Sequence, residues 1–191
     1  MKWLGVAVCC ASVLAACSSS GSSKTKSTET IGNSLPQPVA TTEPPAIGTA
    51  ACGLVSSAQL TSLLGSAVKG TESDASSTNR ECRWAGPPAS GANNGTGAVL
   101  LIGVIRTGNG NVGYSNKILG FSPETLAGIG TAATYLTGST KSGAAERIIV
   151  TYKGNVSLSL AVTYPAGASV PSTVKQDFGA IAKHSFTQLH A

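Results

Sequence analysis

The residues of this chain that could do chemistry are few, and sulfur leads them. There are five cysteines, at positions 9, 10, 17, 52 and 82, against two histidines and eight acids. Glu72 and Asp74 are the one close carboxylate pair beyond the first fifty residues. Acid–base work by paired carboxyls needs a cleft that separates their pKa values. In this polar Ser/Thr stretch they read instead as solvated loop acids. His184 and His190 are not spaced as ligands on adjacent helical turns, and no acid flanks them, so no metal is expected. Gly108-Asn109-Gly110-Asn111-Val112-Gly113 fits the dinucleotide fingerprint behind an expected strand. That motif also needs an acid about 20 residues on and a βαβ unit. Both are missing, so the segment reads as a glycine loop and no cofactor is expected. There is no Gly-x-Ser-x-Gly elbow and no defensible Cys–His or His–Asp pairing, which points away from an enzyme. Trp84, two positions after Cys82, is either a core residue packed on sulfur or one wall of an apolar pocket. Arg106 and Tyr114, near the end of an expected strand, are the candidate rim of that pocket.

Cys17 carries the most specific signal. Lys2 precedes an apolar run from Trp3 to Ala16, and Leu14-Ala15-Ala16 leads into the cysteine. The run is too short for a bilayer, which takes about 20 apolar residues. It fits the core of a signal peptide, and the small residues admit a peptidase. The segment resembles the lipobox of bacterial lipoproteins. That resemblance implies a cut before Cys17, diacylation of its thiol and acylation of the new amine. Two or three acyl chains hold stably where one holds only marginally. The expected location is therefore the extracytoplasmic face of the cell membrane, with the membrane as partner through these chains. Cys9 and Cys10 leave with residues 1–16, and Cys17 is consumed. Cys52 and Cys82 remain, in an oxidising compartment that favours a disulfide. The alternative, a catalytic or metal-binding pair, lacks a nearby His or third thiol.

The elements that would position these groups begin after a long spacer. From Ser18 to Thr49 the chain is Ser, Thr, Pro, Gly and Ala, too poor in large apolar residues to fold. It reads as a disordered tether with a reach of about 30 Å, and its many hydroxyls are candidates for O-glycosylation. One domain is expected over 50–191. Its cations exceed its acids by ten to six and are scattered, without the basic stripe and aromatics that nucleic-acid binding requires.

Within the domain, Ser56 to Gln59 reads as a capping box, starting a helix with Leu60, Leu63 and Leu64 on one face and a stop at Gly65. Residues 66–80 read as polar loop, Glu81 to Trp84 as a short strand, 87–97 as loop, and Ala98 to Arg106 as a buried strand. A short helix is expected at 114–119. Ser122-Pro123-Glu124 reads as a second helix start, running to Leu126. Ala132 to Leu136 is a weak strand. Arg147 to Lys153 and Val156 to Tyr164 form a hairpin around Gly154-Asn155. The second of these strands alternates strictly, which predicts one apolar face and one polar face bearing Ser157, Ser159 and Thr163. Ser172 to Leu189 is an amphipathic helix whose stripe of Val174, Phe178, Ile181, Ala182, Phe186 and Leu189 would cover the apolar face. The fold class is α+β, an antiparallel sheet packed against a C-terminal helix and short helices.

Cys52-Gly53-Leu54-Val55, the helix ending in Leu64-Gly65, Cys82-Arg83-Trp84 and Leu126-Ala127-Gly128-Ile129-Gly130 together resemble actinobacterial lipoproteins with a DUF3558-type domain of unknown function. Thr131 departs from the pattern, where an acid often follows the second glycine. The resemblance spans nearly all of 50–191. It implies the Cys52–Cys82 bridge, an envelope location and a PsbP-like α+β sandwich, and it supplies no activity.

The function expected from these readings is non-enzymatic: a lipid-anchored envelope protein that binds a lipid or small apolar ligand. The alternative is a protein-interaction module that recruits or regulates an envelope enzyme or transporter. Replacing Cys17 by Ala is expected to abolish fatty-acid labelling and leave the chain uncleaved or released into the medium. A variant that fractionates with the membrane in the correctly cleaved form would refute the anchor.

Overall fold

The computed structural model describes residues 47–92, 95–107 and 120–191. The expected signal peptide, Cys17, residues 18–46 of the expected tether, the 108–113 glycine loop, the expected 114–119 helix and Tyr114 lie outside the described residues. The packed domain reaches Ile47, three residues ahead of the expected start. Ile47 is buried at 1% exposure, and its N–H donates to Ser77 O at 2.6 Å.

Seven antiparallel strands form one sheet: β1 (Thr71–Ala75), β2 (Asn79–Pro88), β3 (Gly97–Arg106), β4 (Ser122–Thr125), β5 (Ala132–Ser139), β6 (Ala145–Lys153) and β7 (Val156–Tyr164), in the order β1-β2-β3-β7-β6-β5-β4. These are two meanders, of three and four strands, joined where β3 pairs with β7. The short helix α1 (Ser57–Leu64) and the C-terminal helix α2 (Val174–Gln188), with a 3-10 turn at Ala51–Leu54, complete an α+β domain. No helix among the described residues is long and apolar enough to cross a membrane.

The local chemistry explains the elements. Ser56 caps α1 reciprocally: Gln59 N–H donates to Ser56 Oγ at 3.3 Å, and Ser56 N–H donates to Gln59 Oε1 at 2.8 Å. Gly154 has φ +56°, and Lys153 pairs with Val156, so Gly154-Asn155 closes the β6–β7 hairpin in two residues. A positive φ at the first central position suits the twist of the flanking strands. On the helix side of the sheet, the pairs Leu100–Val162, Ile102–Leu160 and Val104–Leu158 form a ladder. Phe178 and Ile181 of α2 are buried with it. All six residues of the α2 stripe are buried, as its spacing predicted.

Three expectations change. Residues 71–75 form strand β1, because their backbone pairs with β2 at a sheet edge where polar side chains are tolerated. Ser122-Pro123-Glu124 is not a helix start but strand β4, since pairing with β5 overrides a local capping signal worth about 1 kcal/mol. The outer sheet face is not simply polar. Ser159 of β7 is exposed, but Ser157 is buried, and the same face carries half-buried Val99, Leu101, Ile148 and Val150 from β3 and β6. Both edge strands are short, β1 carries a bulge between Glu72 and Asp74, and β4 contains Pro123.

Cys52 and Cys82 are bridged, with Cα atoms 5.1 Å apart. Closing a loop of this length contributes roughly 3–4 kcal/mol in the chain-entropy picture. Gly70 lies against the bridge: a Cβ there would fall 2.5 Å from Trp84 Nε1 and 2.6 Å from Cys82 Sγ. Gly70→Ala is expected to cost about 1–3 kcal/mol by overpacking. Urea unfolding measures it, and a change below about 0.5 kcal/mol would show that this contact is not tight.

Tyr164 ties β7 to α1, its buried hydroxyl donating to Leu63 O at 3.0 Å. Burial holds its phenol far above the ordinary 10.0, helped by Tyr135 and Asp177 and opposed by Arg147. Burial also raises Tyr135, against an opposing effect from Arg147. Above pH 10.0 the unfolded chain gives up these protons while the folded chain keeps them. Their contribution is therefore full below that pH and is lost as pH rises beyond it. Urea midpoints should fall above that point. Tyr164→Phe should be less stable at neutral pH by about 1–3 kcal/mol, with Leu63 O unpaired, yet show a shallower alkaline decline. An unchanged alkaline slope would refute the assignment.

Candidate functional site

Trp84 and Arg106 share the helix-side face but are not neighbours. Trp84 sits opposite Leu100 and is 2% exposed, packed beside the bridge. Arg106 sits opposite Val156, further along β3. At about 3.4 Å per residue the two lie roughly 20 Å apart along the strand, so no pocket is assembled from both. Trp84 is a core residue on the disulfide.

Glu72 lies in β1, and its Oε1 accepts the Cys52 N–H at 3.0 Å while Oε2 is buried without a partner. It therefore anchors the start of the domain beside the bridge rather than standing in solvent. His184 and His190 are both exposed, and the second follows α2 with φ +52°. Among the described residues no group of three or more His, Cys, Asp or Glu could hold a metal ion.

Surface hollows are built from described residues. A groove of about 470 Å³ opens between the end of α1, the β2–β3 turn and the link from β7 to α2, lined by Leu63, Leu64, Pro88, Ala98, Tyr164 and Pro171 among others. The register between β2 and β3 shifts there, between Ala85 and Pro88, an irregularity of the kind that re-aims strands. Nothing about these residues in sequence marked a site, since they gather from four separate segments. A second hollow, of about 410 Å³, lies between the 126–129 loop and α2, with Leu126, Ile129 and Ala180 as its walls and Lys175 and Lys183 along it. Ile129 reaches α2 at Gly179, where a Cβ would meet its Cδ1 at 3.2 Å. The glycines at 128 and 130 both have positive φ, and a Cβ on Gly130 would collide with Tyr152 O. The Gly-Ile-Gly run is thus a structural latch. Lys175 is exposed and pairs with Glu124 at 2.9 Å, a contact worth roughly 0–1 kcal/mol.

The third hollow, about 310 Å³, has a mixed polar and apolar lining and lies at the other end of the sheet from the 470 Å³ groove. Gly48, Thr49, Arg106, Gln188, Leu189 and His190 line it. Arg106 Nη2 donates to Leu189 O at 2.6 Å, which closes the C-terminus of α2. Of the three ligand residues expected from sequence, Arg106 lines this hollow, Trp84 lines none of the three hollows above, and Tyr114 lies outside the described residues. No family model, no curated protein sequence and no solved structure matches this chain.

Proposed function

We propose that this protein is a lipid-anchored, non-enzymatic binding or accessory protein of the cell envelope, held by Cys17 and engaging a partner protein at its surface. The observation that carries the choice of surface over interior is the filled core. Trp84, Leu100, Ile102, Leu158, Leu160, Phe178 and Ile181 occupy the space between sheet and helices at under 2% or 2% exposure. An apolar ligand would have to displace side chains packed at close to crystal density. The groove bounded by Leu63, Pro88 and Tyr164 is open and presents apolar walls without rearrangement. It suits the apolar side chains of a partner's segment. The resemblance to DUF3558-type lipoproteins fits this reading without adding an activity.

A second reading is a small apolar ligand in the same groove, favoured by a volume inside the usual range of about 300–1,000 Å³ for ligand sites. A photo-crosslinking residue at Ser90, on the groove wall, is expected to trap one protein of defined mass in intact cells. The same residue at Lys153, at the opposite end of the sheet, should trap none. Equal adducts from both positions would reject the groove as the docking surface. A reproducible small mass retained in native mass spectrometry, and lost on denaturation, would move the assignment to the second reading.

A further inference from the structure

We propose that the cleft at the Val156 end of the sheet binds a phosphate-type oxyanion, with Arg106 as its central cation. Arg106 and Arg80 are diagonal neighbours on the helix-side face, since Arg80 pairs with Val104 and Arg106 follows two residues on. Both are half-buried. Their hydrogen bonds go to uncharged backbone carbonyls: Arg106 to Leu189 O at 2.6 Å and Arg80 to Ile47 O at 3.3 Å. In each, Nε is buried and without a partner. Neither has an ion-pair partner among the described residues. The one acid on the same face of the adjoining strand, Glu72, is committed to the Cys52 N–H.

Guanidinium groups taken out of water without a counter-charge are costly, and buried charges are normally paired. Two such groups side by side, each half-buried with its Nε unpartnered, favour an anion from outside the chain. Other polar side chains line the cleft as well: Thr49, Gln188 and His190, and none of them has a hydrogen-bond partner among the described residues. The end of α2 opposes an anion with roughly half a negative charge, but Arg106 already closes that end, and Arg80, which does not line the cleft, adds its positive charge from the neighbouring strand. A guanidinium fork matches two oxygens of a tetrahedral anion. The cleft is small and carries Arg106 on its wall, which fits an anionic headgroup or free phosphate.

The test uses the full chain in nonionic detergent, titrated with inorganic phosphate while the Arg106 Nε–H signal is followed by nitrogen-edited NMR. A saturable shift with a millimolar midpoint is expected. Arg106→Gln should weaken binding about tenfold or more, as for a charged hydrogen bond. Because Arg106 also closes α2, Thr49→Ala and Gln188→Ala serve as variants that spare that contact. They should keep the melting temperature and weaken phosphate binding about threefold. Vesicles of phosphatidylglycerol, against phosphatidylcholine, separate the sources. Arg106-dependent sedimentation with the anionic vesicles identifies a lipid headgroup, and phosphate binding without it identifies a diffusible anion. A signal that does not saturate, or a midpoint unchanged in Arg106→Gln and both wall variants, would overturn the site.

Discussion

The pairing of β3 with β7 is the constraint on which the rest of this domain depends. It joins the two meanders into one sheet, and its apolar ladder is the floor on which α1 and α2 rest. The partners are far apart in sequence: Val99 meets Thr163, and Arg106 meets Val156. Such a contact forms only after a long loop is closed, which costs entropy before it returns burial. The β6–β7 hairpin, with its two-residue turn, is local and offers β7 as a ready template. The central joint thus rests on a strand that its own two-residue hairpin also holds in register.

A second constraint gathers at the opposite edge. The Cys52–Cys82 bridge ties the segment before α1 to β2. Glu72 bonds the same segment through Cys52 N–H, and Trp84 packs beside the sulfur over Gly70. A covalent link, a charge-assisted hydrogen bond and a tight apolar contact converge within a few residues. The edge strand β1 therefore has support despite its brevity and polar sequence.

The elements most legible in the sequence were those whose burial follows a simple period. The α2 stripe and the apolar face of β7 follow from spacing because each is buried against a broad partner, and the Ser56–Gln59 cap follows from a local motif that needs no partner. β1 and β4 were not legible, since an edge strand needs only backbone partners and its side chains answer to solvent. Pro123 and Glu124 carry a genuine helix-start signal that the pairing with β5 outweighs. The Cys52–Cys82 pairing followed from counting thiols. Arg106 was singled out for its place near a strand end, yet its surroundings could not be foreseen. They come from Thr49 and from Gln188 and His190, at the two ends of the domain. The apolar groove was illegible for the same reason: four distant segments build it.

The guarded sheet edges acquire a meaning from where such a domain would work. A protein held by acyl chains diffuses in two dimensions and meets its own copies far more often than it would free in solution. An unguarded strand edge at that density invites lateral polymerisation through backbone pairing. A bulge in β1 and a proline in a four-residue β4 leave little continuous backbone to extend. Crowded at a membrane, such a domain would present grooves and clefts to other molecules while offering like molecules little register in which to zip together.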